Sequence, residues 1–196
     1  MEEEIKMIEK NRTWRLVEKP EKKNIISVKW IYRIKTNANG DPIKHKARLV
    51  ARGFSQEYGV DYLETFAPVS RHDTIRVILA LAAQKKWRLY QMDVKSAFLN
   101  GELEEEIYVA QPPGFVVEGE EDKVLLLRKA LYGLKQAPRA WYGRIDSYFL
   151  QSGFQRSMND AALYVMKKDK DVLIVSLYVD DLVITGSSSQ LIERKI

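Results

Sequence analysis

The sequence predicts an α+β domain, and three observations carry that expectation. Strand-like and helix-like segments are mixed rather than alternating as βαβ units. An Asn39-Gly40 pair separates two extended runs, a strong local signal for a hairpin. A late cluster of short apolar runs, Leu163–Met166, Val172–Tyr178 and Leu182–Ile184, reads as closely spaced strands.

Taken in order, Ile5, Met7 and Ile8 within an acidic N-terminal stretch predict a short peripheral helix. Ile26, Val28 and Trp30 alternate and lead into a continuous run to Ile34, and Ile43 to Ala51 forms the partner strand. Thr74–Lys86, capped by Asp73 or Thr74, is expected as a mostly buried helix carrying Ile75, Val77, Ile78, Leu79, Leu81 and Ala82. Arg88–Asp93 reads as a strand ending in an acid. The Glu-rich stretch between Glu102 and Asp122, with Pro112-Pro113-Gly114, reads as an exposed loop. Pro138 suits the first turn of a helix running to about Leu150, with Trp141, Ile145, Tyr148 and Phe149 as its apolar face and Gly153 just past its end. Gly186 and Ser187–Ser189 precede a last helix that begins at Gln190 and is cut short.

Composition excludes several classes. The chain has 196 residues and no cysteine, so disulfide frameworks, cysteine-ligated zinc and thiol nucleophiles are ruled out. Its longest apolar runs fall far short of the ~20 residues of a membrane helix, and Met1-Glu2-Glu3-Glu4 is the wrong charge for a secretory leader. An intracellular, cytoplasmic chain with no membrane partner is expected. Charge is unevenly placed: Lys22–Gly53 holds nine bases and one acid, Glu102–Asp122 eight acids and no base, and Lys123–Arg144 six bases and no acid. Two basic blocks could wall a groove for a polyanion or could simply be solvated surface.

The most anomalous local feature is Asp180-Asp181, embedded between the apolar runs 173–179 and 182–184. A turn aspartate can bond its own backbone. Two held together repel each other unless a cation neutralises them, and hard oxygen donors suit Mg²⁺. Asp93, 87 residues earlier, either caps the next segment of chain or joins them in a two-metal site for phosphoryl transfer. His45 and His72 are not spaced as paired ligands, and neither a phosphate-binding Gly-x-x-x-x-Gly-Lys loop nor a Gly-x-Ser-x-Gly elbow is present.

Long strings join these residues: Val28–Lys35, Lys46–Phe54, Glu64–Val69, Gln91–Gly101, Ala130–Arg139 and Leu177–Asp181. On them the chain resembles the reverse transcriptase domain of Ty1/copia-type retrotransposon Pol polyproteins, over about residues 11–190. The resemblance implies a right-hand polymerase with fingers and palm, the palm an antiparallel sheet with helices on one face. Residues 1–24 would be an N-terminal extension, 25–90 mainly fingers, 91–186 mainly palm with some interleaving, and 187–196 the start of the following helix. It implies catalytic, metal-holding carboxylates at Asp93, Asp180 and Asp181, with two Mg²⁺ ions or Mn²⁺ in their place. Lys46 and Arg48 would hold the triphosphate, Phe98 would lie under the sugar, and Tyr132 and Gly133 would line the nucleotide pocket. Lys135 and Arg139 would contact nucleic-acid phosphates. Implied partners are a primed RNA or DNA template and dNTPs, in virus-like particles where a complete element is made. The family's primer grip, thumb, connection and RNase H segments do not follow in this chain. The alternative function is an inactive element remnant that binds nucleic acid non-specifically, and little polymerase activity is expected from these residues alone.

Overall fold

The computed structural model describes residues 1–67 and 69–195; Pro68, within the Glu64–Val69 string, and Ile196, at the end of the expected last helix, lie outside the described residues. The first elements in chain order are α1 (Glu2–Lys10), β1 (Trp14–Val17), β2 (Ile25–Ile26), β3 (Val28–Thr36), β4 (Pro42–Ala51) and α2 (His72–Lys85). There follow β5 (Leu89–Asp93), β6 (Glu102–Val109), β7 (Val124–Lys129) and α3 (Ala137–Gln151). The last are β8 (Gln155–Arg156), β9 (Leu163–Lys168), β10 (Asp171–Tyr178), β11 (Asp181–Gly186) and α4 (Ser189–Lys195). The α+β class therefore holds. Among the described residues no helix is long and apolar enough to cross a membrane.

The chain divides into two compact units. Unit 1 is Met1–Phe66 with Phe98–Trp141, and unit 2 is Ala67–Ala97 with Tyr142–Ile196.

Unit 1 holds a four-stranded sheet in the order β1-β7-β6-β2, plus the two-stranded β3–β4 hairpin. Its core gathers Ile8, Ile26, Leu49, Val109 and Leu131, all fully buried. The predicted run from Ile26 to Ile34 breaks at Ser27, because Ile26 pairs in parallel with Val109 while Val28 starts the hairpin. The hairpin loop spans 37–41, longer than a bare Asn-Gly turn. Asn37 Oδ1 accepts the Asn39 and Asp41 backbone N–H groups at 2.9 Å each, and Gly40 takes the left-handed conformation at φ +89°. The acidic stretch corrects a sequence expectation. Residues 102–109 form a strand, because Leu103, Ile107 and Val109 alternate inward against Glu102, Glu104 and Glu106. Only the remainder is loop.

Unit 2 is built on a five-stranded sheet, β5-β11-β10-β9-β8, antiparallel throughout. The expected antiparallel sheet is thus present. The run Leu173–Leu177 is buried residue by residue, and α2 and α4 both pack on β11. Phe149 of α3 meets Phe154 and Tyr164 at ring-centroid distances of 5.2 and 4.7 Å. Tyr164 donates its phenol to Asp146 at 2.8 Å, and burial pushes that phenol above its ordinary range. Helix α2 begins two residues before the expected start and is less buried than its sequence suggests. Only Ile78 and Ala82 are buried, while Val77 and Leu79 stay exposed, since the helix presents a single stripe to the sheet. Thr74 is not its cap: the Thr74 hydroxyl donates instead to Asp160 at 2.6 Å.

Candidate active site

The register of unit 2 sets the three predicted carboxylates at one end of its sheet. Strand β5 ends at Asp93, β11 begins at Asp181, and the two are direct cross-strand partners. Tyr178 pairs with Asp181, so Val179 and Asp180 alone make the turn between β10 and β11. Val179 sits at φ +57°, a region that β-branched residues avoid. The turn is tied to the first carboxylate, because the Val94 N–H donates to the Asp180 carbonyl at 2.8 Å. Asp93 is exposed, whereas Asp180 and Asp181 are half-buried.

Like charges placed directly opposite on a ladder destabilise it, so this sheet end carries a built-in demand for positive charge. An all-aspartate oxygen donor set fits a hard divalent cation, and Asp93, Asp180 and Asp181 are the residues that would hold one. Among the described residues no three His, Cys, Asp or Glu side chains converge closely enough to form a metal cage.

Unit 1 brings together three of the predicted nucleotide-binding residues. Phe98 lies in a short 3-10 turn, Ala97–Asn100, half-buried against the unit's core. Its ring meets Tyr132 with centroids 4.8 Å apart at 59°. The Arg48 guanidinium carbon stands over the same Tyr132 ring, 4.8 Å from its centroid. The backbone fixes this arrangement, since the Ala51 N–H donates to the Tyr132 carbonyl at 2.7 Å. Gly133 follows at φ +91°, and a Cβ there would overlap the Ala51 carbonyl oxygen. A Cβ on Gly53 would overlap the Gly133 carbonyl oxygen just as severely, so both positions exclude a side chain.

The remaining predicted residues divide. Lys46 is half-buried on β4, and Lys135 is exposed, its backbone N–H bound to Gln56 Oε1 at 2.8 Å. Arg139 points its guanidinium at Glu105 and Glu104, at 2.8 and 3.3 Å, and so has counter-charges inside unit 1. Lys23 pairs likewise with Glu106 at 2.8 Å. Part of the acidic block therefore neutralises residues of both basic blocks.

Sequence reasoning missed the network that pins the 53–61 loop. Gln56 Nε2 donates to Gln136 Oε1 at 2.9 Å, and Gln136 Nε2 donates to the Asp61 carbonyl at 3.0 Å. Asp61 Oδ2 accepts from Asn24 Nδ2 and from the Glu57 N–H. Gln136 lies inside one of the recognised strings, but a buried glutamine carries no sequence signal of its own.

With this geometry in hand, comparison with known proteins is specific. The sequence pattern of the reverse transcriptase (RNA-dependent DNA polymerase) family matches residues 11–195. The chain is 44% identical over 187 residues to the retrovirus-related Pol polyprotein from transposon RE2 of Arabidopsis thaliana, covering 95% of this chain and 13% of that protein. It is 43% identical over 195 residues to the corresponding polyprotein from transposon TNT 1-94 of Nicotiana tabacum, covering 99% of this chain and 15% of the relative. With the transposon Ty1-DR4 Gag-Pol polyprotein of Saccharomyces cerevisiae it shares 30% identity over 200 residues, 97% of this chain and 12% of that protein. The chain thus spans roughly an eighth of the length of these curated relatives. The copia-type resemblance carried by the sequence strings and the matched family agree, and the chain belongs to the reverse transcriptase (RNA-dependent DNA polymerase) family.

Proposed function

We propose that this chain is the nucleotidyl-transfer segment of an RNA-directed DNA polymerase from a copia-type retrotransposon, extending a primer 3′-OH with dNTPs on an RNA or DNA template. The carrying observation is the placement of Asp93 opposite Asp181, with Asp180 on the adjoining turn. In this reading the five-stranded sheet of unit 2 is the palm and the β3–β4 hairpin belongs to the fingers.

The three aspartates would hold two Mg²⁺ ions, or Mn²⁺ in their place, which when bound supply Lewis-acid polarisation of the α-phosphate and activation of the attacking oxygen. The chain's own residues position and select. The paired strands hold the Asp93 and Asp181 carboxylates at one sheet end, and the tight Val179-Asp180 turn presents the third. Lys46 and Arg48 carry charge complementary to a triphosphate. The Phe98 ring excludes a ribose 2′-hydroxyl by bulk, which raises the cost of the wrong sugar without improving the right one. Tyr132 and Gly133 line the nucleotide pocket. Lys135 meets nucleic-acid phosphates, and Arg139 reaches them only by leaving Glu104 and Glu105.

The test is metal-dependent incorporation of labelled dTMP onto oligo(dT) annealed to poly(A), in a longer Pol chain carrying these residues. Asp93→Asn is expected to lower the rate by about 10³-fold or more, the scale of losing a charge-stabilising group at the reacting centre. Incorporation indifferent to Asp93→Asn would overturn the assignment.

A further inference from the structure

Two different residues of unit 1 rest on one side chain. The Phe98 ring and the Arg48 guanidinium each lie 4.8 Å from the Tyr132 ring centroid. Tyr132 has little freedom to yield. Its carbonyl is bonded to the Ala51 N–H at 2.7 Å, and the next residue, Gly133, is packed so tightly against Ala51 that a Cβ has no room. A half-buried aromatic held from behind by its own backbone makes a fixed anchor. A group that leans on it inherits that fixity: an aromatic neighbour through ring contact, a cation through the ring face.

We infer that Tyr132 is a shared positioning residue, setting the Phe98 ring against the nucleotide sugar and the Arg48 guanidinium for the triphosphate. This rests on the polymerase reading above and deepens it. One ring would then couple sugar selection to anion capture, so that losing the ring disturbs both together. Tyr132 itself need not touch the nucleotide for this to hold. Both contacts are made to the ring, so phenylalanine should serve in its place.

The experiment is equilibrium dialysis of radiolabelled dGTP and GTP against a longer Pol chain carrying these residues, with Mg²⁺ and a dideoxy-terminated primer–template presenting cytosine. The chains compared are wild type, Tyr132→Leu, Tyr132→Met, Tyr132→Phe and Arg48→Gln, each checked for folding by circular dichroism. Methionine supplies a flexible apolar filler should leucine compromise the fold. The dGTP-over-GTP preference is expected to fall about fivefold in the leucine and methionine variants, the scale that one aromatic contact carries. Their dGTP affinity should fall as well, and Tyr132→Phe should recover both. Arg48→Gln should weaken dGTP and GTP alike and leave their ratio near the wild-type value. Wild-type preference in a folded Tyr132→Leu or Tyr132→Met chain overturns the positioning role while leaving the polymerase reading in place. A wild-type chain with no Mg²⁺-dependent dGTP binding overturns the nucleotide-binding reading itself, and this inference with it.

Discussion

The β3–β4 hairpin and the β5–β11 strand pair are both antiparallel ladders that place like charges opposite one another, yet their surroundings differ. In β3–β4 the opposed pairs are cations, Arg33 with Lys46 and Lys35 with Lys44. In unit 2 the opposed pair is Asp93, at the end of β5, with Asp181, at the start of β11. Among the described residues the basic hairpin pairs with no other strand, and it leaves Ile31, Tyr32, Ile34 and Ile43 exposed. The acidic turn closes two strands flanked on both sides, by β5 and β9, and Leu173, Val175, Leu177 and Ile184 are fully buried beneath it. Long lysine and arginine side chains can splay into water, so repulsion among them asks little of the backbone. Short aspartate side chains cannot, and holding them together takes a stiff, buried platform. A cluster of aspartates and a row of lysines and arginines therefore place different demands on packing.

Substitutions can break that contrast, beginning with the largest expected effect. Leu177→Ala removes a fully buried side chain from β10 and should destabilise the chain by about 3 kcal/mol, read from denaturant unfolding. Gly133→Ala strikes the root of the basic hairpin. A Cβ at φ +91° meets Ala51, and a loss of about 2 kcal/mol or more is expected in the same measurement. Ile34→Ser, on an exposed hairpin position, should stay within about 0.5 kcal/mol. A cost for Ile34→Ser as large as that for Leu177→Ala would show that the hairpin is packed as tightly as the sheet, and the contrast would fail.

Much of this molecule was legible in its residues, and the parts that were not share one cause. The last three strands, the Asn39-Gly40 hairpin and the Pro138 helix all depend on local rules: alternation, turn chemistry and helix-start preference. The Glu-rich strand β6 was hidden because its charge density outweighs its alternation until a partner strand is known. The excess apolarity of α2 promised burial that one packed stripe does not supply. Strand β1, four residues long, was not anticipated; it is defined by its pairing with Val124–Leu127 of β7.

Sequence alone singled out the candidate residues: the Asp180-Asp181 pair as carboxylates set among apolar strand residues, and Asp93 as an acid at a strand end that the family strings join to them. Only the tertiary structure decided that Asp93 faces Asp181, that Phe98 and Arg48 share Tyr132, and that Arg139 is held by Glu104 and Glu105. The physical reason is range. Propensity and pattern act over a few neighbouring residues, whereas register and side-chain pairing are set by partners tens of residues away, and those partners become known only when the chain has closed upon itself.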